Sequence, residues 1–331
     1  MKLDSLQRYF QTVGPSVDPT ARWDANESLA FARQLEFIYT QTYDVKYADL
    51  KARTLIPVDT SVPPGAELYS YKVFNEVGEA KLVDDYATDF PNVELFGTES
   101  FGKIVSLGDS YQYSIQDMRR AQLMNMPLQA KKALAARHVI ERKLDYIACV
   151  GALNGTVPGF ATNTNVPALS SASTPALTAG TWASRANTSA GSQTIINDLL
   201  VAQQDIFTKS LGLAAGRDLV LPLAAYAELV RRTISPDNGF DQRTLLDFLL
   251  QTGRFDSIEP WVALATAGPA AAPRGVIYDR SPENLQLVIS QDFEQLAPQA
   301  VGMTFKVLCH MRTGGVEIFY PMTMRYLDGI A

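Results

Sequence analysis

The stretch Tyr113–Gly151, YSIQDMRRAQLMNMPLQAKKALAARHVIERKLDYIACVG, decides how the rest of the chain is read. Ser114 followed by Asp117 is a capping-box pattern, Pro127 suits the first turn of a restarted helix, and Gly151 stands where a C-terminal stop belongs. The pattern predicts one long helix with a step near Pro127. Beyond the step, Ala130, Ala133, Leu134, Ile140, Leu144 and Ile147 recur at helical intervals, an apolar stripe that needs a sheet beneath it. Lys131, Lys132, Arg137, Glu141, Arg142, Lys143 and Asp145 take the other faces, so the open side is charged and mostly basic.

A chain of 331 residues, 47% hydrophobic and 19% charged, buries a substantial core and has the balance of a globular protein. Its net charge of -6 argues against a dedicated nucleic-acid binder, which carries a basic excess. Cys149 and Cys309, the only cysteines, fall in apolar surroundings and read as buried free thiols in a reducing compartment. The first residues, MKLDSLQRYFQTVG, lack the apolar core of a signal peptide, and no window reaches the roughly 18 apolar residues of a membrane span. The expectation is a soluble protein with no membrane partner, not secreted by that route.

Upstream of the helix, residues 1 to about 25 mix Gly14, Pro15 and Pro19 with polar residues and read as an extended arm. A short amphipathic helix with Phe31, Leu35 and Ile38 on one face follows. From Asp49 the period changes to two, and Leu50, Ala52, Thr54 and Ile56 predict a strand to Pro57. LYSYKVFNE, a turn around Gly78, and AKLVDDY then read as a long hairpin, which two strands alone do not stabilise in water. Glu76, Glu79, Asp84, Asp85 and Asp89 make this segment acidic, whereas Arg119, Arg120, Lys131, Lys132 and Arg142 make the helix basic. Either both are solvated faces, or the hairpin of one copy crosses the helix of another, where complementary charge sets register. Lys103 to Tyr113 reads as a strand feeding the helix.

Downstream, residues 152 to 192 are crowded with Gly, Asn, Thr, Ser, Ala and Pro and predict a long loop between compact units. An α/β unit from Gln193 follows, with a helix ending near Gly212, a short buried strand at Asp218–Leu221, a helix from Pro222 through Ile234 and a third over Arg243–Gln251. Strands are expected at 276–278 and 285–290. Met303–Met311 and Val316–Tyr320 are expected to form a hairpin about Arg312, Thr313, Gly314 and Gly315.

Chemistry is scarce. His138 and His310 are the only histidines, and no paired-Cys spacing or HExxH motif supplies zinc ligands. Cys309 and His310 point to opposite faces of a strand, poor geometry for a nucleophile and its base. Neither a phosphate loop nor a nucleophile elbow is present. No catalytic, cofactor-binding or metal-ligating residue is assigned, and no cofactor is expected.

Arm, hairpin, strand, long helix, Gly-bounded loop, α/β unit and returning strands, in that order, resemble the HK97-fold major capsid proteins of tailed bacteriophages. The resemblance is carried by Leu55-Ile56-Pro57-Val58 through Pro64-Gly65-Ala66 into Tyr71, by Gly78-Glu79-Ala80-Lys81 with Asp84-Asp85-Tyr86, and by Tyr113-Ser114-Ile115-Gln116 running to Ala135-Ala136-Arg137 and Gly151. These stretches are similar to a branch of phage and prophage capsid proteins described as a domain of unknown function. The resemblance implies an α+β fold with an N-terminal arm and short helix (1–48), an extended hairpin loop (49–93), a peripheral domain with the long helix as its spine (94–152), an axial α/β domain (153–295) and C-terminal strands returning to the peripheral domain (296–331). It implies a structural, non-enzymatic subunit of a virion, assembled in a host bacterial cytoplasm into pentamers and hexamers of an icosahedral shell around double-stranded DNA. Contact with DNA would be non-specific, and separate scaffold, portal and decoration proteins are compatible partners. The inter-subunit residues expected are Glu76, Glu79, Asp84, Asp85, Asp89, Arg119, Arg120, Lys131, Lys132 and Arg142. An encapsulin-like shell enclosing cargo enzymes and a soluble α+β enzyme stand as alternatives.

Overall fold

A computed structural model describes residues 47–82, 90–124, 127–237 and 241–331. The expected arm and its short helix, before residue 47, lie outside these.

The long helix forms where the caps place it, in two pieces. After α1, a single turn at Ala52–Leu55, come α2 at Ile115–Leu123 and α3 at Leu128–Val150. Ser114 Oγ accepts the Asp117 N–H at 3.0 Å while Asp117 Oδ2 accepts the Ser114 N–H at 3.2 Å, closing the capping box. Gly151 ends α3 at φ 80°, its N–H donating to Ile147 at 2.7 Å. The buried stripe of α3 is Ala136, Ile140, Leu144, Ile147 and Ala148. Leu134, expected in it, is 68% exposed, and Ala130 is also exposed. At 3.6 residues per turn Leu134 stands about 120° around the helix from Ile140, beyond the face that meets the sheet. Asp145, assigned to the open side, is instead buried.

That burial corrects a second reading. Asp145 Oδ1 accepts the N–H groups of Lys51 and Ala52, both at 2.9 Å, and its Oδ2 accepts the indole N–H of Trp261 at 2.9 Å. The carboxylate supplies the N-terminal acceptor that a turn of helix needs, so residues 52–55 coil as α1 instead of extending as the alternation predicts. The strand follows only at β1, Val58–Asp59.

The hairpin strands are β2, Leu68–Val77, and β3, Glu94–Lys103. The expected return strand at 80–86 does not form where it is described: Ala80, Lys81 and Leu82 belong to no strand, and 83–89 lie outside the described residues. β4, Val105–Ser114, then feeds α2 as expected.

Beyond α3 come β5 (Ala168–Leu169), α4 (Ser189–Lys209), β6 (Asp218–Leu221), α5 (Leu223–Arg231), α6 (Leu245–Gln251), β7 (Ser257–Pro260), β8 (Arg274–Tyr278), β9 (Leu285–Gln295), β10 (Gln299–Val301), β11 (Thr304–Ile318) and β12 (Met324–Asp328). The segment expected as a bare loop, 152–192, is packed: Val157, Phe160, Ala161 and Trp182 are fully buried. The helix opened by Pro222 stops at Arg231, short of Ile234, because Arg232 turns extended and buries its guanidinium against the carbonyls of Trp182, Arg185 and Ala186.

β11 is one strand, not a hairpin. Thr304–Thr313 pairs antiparallel with β4, and Cys309–Ile318 pairs antiparallel with β9, with register shifts between His310 and Gly315. The glycines read as a turn therefore make a bulge: Gly315 sits at φ 77°, and Thr313 Oγ1 donates to the Val288 carbonyl at 2.8 Å, so the chain bends and goes on.

Two five-stranded sheets result, β4, β11, β9, β10 and β1 in one, and β5-β12-β8-β6-β7 in the other. Period-two alternation gives the second sheet two apolar faces. Val220, Val276, Tyr278, Met324 and Tyr326 join the core under α3, while Leu219, Leu221, Ile277 and Leu327 meet α4, α5 and α6. A boundary at 295 does not follow the sheets: β9 lies with β4 and β11, and the last strand, β12, lies between β5 and β8.

Candidate assembly surfaces

Among the described residues β2 and β3 pair only with each other, in register from Leu68 opposite Lys103 to Val77 opposite Glu94. The pairing is built on two aromatic–glycine partnerships. A Cβ at Gly102 would stand 2.1 Å from the Tyr69 ring, and one at Gly97 would stand 3.0 Å from the Phe74 ring. Each ring covers backbone that a larger partner would displace, which pins the register of an otherwise exposed ribbon.

The ribbon is held at its root. Tyr69 and Tyr71 donate their phenols to the two oxygens of one carboxylate, Glu317 of β11, at 2.9 and 2.8 Å. Tyr71 also meets Phe319 edge to face at 4.9 Å between centroids, and Arg312 donates to the Pro64 carbonyl. Gly314 admits the Tyr69 ring, because a Cβ there would lie 2.7 Å from Cε1. The bulge of β11 is thus the socket of the hairpin. Burial, with Glu317 second, pushes the Tyr69 phenol far above its ordinary range, and Tyr71 is raised for the same reasons.

Away from this root the ribbon is bare. Phe74, Leu95 and Phe96 are 60%, 60% and 56% exposed, and Val77, Val93 and Phe101 are exposed with them. Alternation puts Phe74, Leu95 and Phe101 on one face of the ribbon and Val77 and Phe96 on the other, and exposed apolar residues gathered this way mark an interface. Of the acidic residues expected there, Glu76 lies in β2 and Glu79 just beyond it, both exposed, while Asp84, Asp85 and Asp89 lie outside the described residues.

The basic residues are not equally available. Arg119 and Arg142 are exposed, and Arg120 stands 3.8 Å from Asp117. Lys132 donates to the Gln112 carbonyl of β4 at 2.7 Å, and Lys131 also has a partner. Arg137 covers the Phe293 ring and Lys143 that of Tyr146. Sequence reasoning weighed the charges and missed the Tyr69–Glu317–Tyr71 clamp and the exposed aromatics; the doubled Phe-Gly of ELFGTESFGK was the available signal.

Among the described residues no cluster of His, Cys, Asp and Glu is placed to hold a metal ion, and no helix is long and apolar enough to cross a membrane. Burial pushes the Cys149 thiol well above its usual range, away from the reactive thiolate.

Comparison with known proteins points the same way. A family described as "Major capsid protein" matches residues 78–330. The fold is similar to that in the capsid of Myoviridae phage XM1, at TM-score 0.74 and 15% identity over 90% of this chain and 98% of that one. It is also similar to a chain of Mycobacterium phage Ogopogo (TM-score 0.57, 12% identity, 90% and 98% covered) and to the capsid of a native GTA particle (TM-score 0.59, 11% identity, 96% and 100% covered). No curated protein matches by sequence. A mixed α and β body of HK97-like capsid fold, a projecting apolar ribbon and a family match over most of the chain converge: the chain belongs to the major capsid protein family and is a structural subunit of a capsid shell.

Proposed function

We propose that copies of this chain join head to tail into pentamers and hexamers of an icosahedral shell around double-stranded DNA, without enzymatic activity, and that each copy lays its hairpin on a neighbour. The observation that carries the reading is the ribbon β2–β3, fastened at Tyr69 and Tyr71 and bare of covering beyond them. Two strands do not persist alone in water, and these stand exposed among the described residues, so the reading gives their cover to a neighbouring copy. Heterologous contacts of this kind close into rings, and rings tile a shell. In this reading the sheet of β4, β11 and β9 with α3 forms the peripheral part, and the sheet of β6–β8 with α4–α6 the axial part. Assembly takes place in a bacterial cytoplasm, with separate scaffold, portal and decoration proteins as the partners the fold allows.

Charge supports the pairing of hairpin and helix. Glu76, Glu79, Asp84, Asp85 and Asp89 on one copy face Arg119, Arg120, Lys131, Lys132 and Arg142 on the next, with Arg119 and Arg142 the most available of the five. Complementary potentials of this sort set register and speed encounter more than they add affinity. Electron microscopy of the purified protein tests the reading: closed particles support it, and a stable monomer or dimer overturns it. The double substitution Asp84→Lys, Asp85→Lys should impair particle formation while the subunit stays soluble; particles in normal yield would remove charge from the account.

A further inference from the structure

The first sheet ends on β4. β11 lies along one edge of this strand, and no strand among the described residues lies along the other. Two hydrogen bonds show which backbone groups face outward. The Ser110 N–H donates to the carboxylate of Asp109 at 2.7 Å, and the Gln112 carbonyl accepts from Lys132 Nζ at 2.7 Å. Backbone direction alternates along a strand, so Ser106 and Gly108 present their N–H and C=O groups on that same edge. Among the described residues, therefore, the edge is capped at 110–112 and open at 106–108. Beside the open stretch runs a groove of about 620 Å³ between β4 and α3, walled by Leu107, Val139 and Tyr146 and rimmed by Arg142 and Lys143.

We infer that this edge and groove receive the distal half of β3, Glu94–Thr98, from a second copy, as an added strand. The inference rests on the hairpin-on-neighbour reading and gives that contact an address. Among the described residues β3 has a free edge of its own, since its ribbon there has two strands. Alternation puts Glu94 and Phe96 on one side of the added strand, so the exposed Phe96 suits the apolar wall and the exposed Glu94 the cationic rim. Strand addition takes affinity from main-chain hydrogen bonds and selectivity from alternate side chains in pockets, and both elements are present here. An unpaired edge is otherwise a template for wrong pairing, and capping all but the docking stretch limits that risk.

Gly108 supplies the test. A Cβ there would meet only the Cys309 carbonyl at 3.7 Å, an ordinary contact, so Gly108→Ala should fold and assemble as the parent does. Gly108→Pro removes the outward N–H and leaves the bonds to β11, a change that edge strands accept. It should melt close to the parent and yield no closed particles. If it fails to fold, hydrogen exchange on the unmodified protein decides: the Ser106 and Gly108 amides should slow by about tenfold or more on assembly. A charge swap adds a third arm. Glu94→Lys should lose particles, as should Arg142→Glu, and the two together should regain them. Normal assembly of Gly108→Pro, or unchanged exchange at 106–108 in particles, overturns the inference while leaving the shell reading intact. A parent protein that forms no particles overturns the shell reading itself.

Discussion

At the scale of single residues, two carboxylates organise surroundings out of proportion to their size. Asp145 serves three donors, the buried Ala52 N–H and Trp261 indole and the half-buried Lys51 N–H. Asp145→Ala leaves the two buried donors without a partner, and each buried orphan costs about 1–3 kcal/mol. The variant should therefore lose at least about 2 kcal/mol, read as a lower denaturant midpoint with unchanged slope. Glu317 works at the rim, where its two oxygens take the Tyr69 and Tyr71 phenols. Both phenols are raised above their ordinary range by burial first and Glu317 second, so the fold favours their neutral forms. That stabilisation is complete below about pH 10, the unfolded value, and is lost as pH rises beyond it. Melting temperature measured from pH 8 to 11 should fall at the alkaline end, and Tyr69→Phe should fall less steeply; parallel curves would show that Tyr69 does not carry the effect.

Elements show how a local signal changes meaning in context. The Thr313-Gly314-Gly315 run has the composition of a turn, yet β11 pairs with β4 up to Thr313 and with β9 again from Gly315, so the strand continues and the glycines are spent on a bulge. Gly314 has a second task, admitting the Tyr69 ring. Gly314→Val should push that ring out of its socket, so the hairpin root becomes cleavable by protease between 60 and 70 while the body resists; a root that stays protected would mean the socket is not tight. The helix α4 is docked differently, by Asp205 on Arg325 of β12 at 2.5 Å with both side chains buried. Removing one partner of a buried pair typically costs about 3–5 kcal/mol, so Asp205→Ala should be among the more destabilising changes in that half of the chain. Thermal unfolding against the parent checks it.

For the whole molecule, the ribbon β2–β3 adds none of its own residues to either buried core. Replacing residues 70–101 with a short Gly-Ser loop should leave a folded body with nearly the parent melting temperature and abolish closed particles. Retention of particles would mean that other surfaces suffice to build the shell. Contacts between charged, exposed surfaces weaken as salt shortens their range to about 3 Å at 1 M. Charge-dominated contacts would therefore release subunits from particles between physiological and molar salt, whereas contacts dominated by Phe74, Leu95 and Phe96 would hold.

Much of the fold was legible because it depends on local rules. Ser114 with Asp117, Pro127 and Gly151 are caps and breakers whose effect needs only near neighbours, and the helices and the strand at 218–221 followed from periodicity. The HK97-like order of elements followed from their succession along the chain. Three things required the folded molecule. Asp145 is buried because α1 and Trp261 close over a helix face that the helical period alone assigns to solvent. β2 pairs with 94–103, and β11 runs through its glycines, because strand partners are chosen by long-range register and side-chain fit, which no short window contains. The clamp on Glu317 joins residues nearly 250 positions apart. The sequence determined the capped helices, the strand that feeds them and the strand at 218–221, and that the hairpin lacks its own cover; only tertiary structure decided that 52–55 coil, where the hairpin is rooted and which strand edge stands open, because those depend on which distant backbones meet.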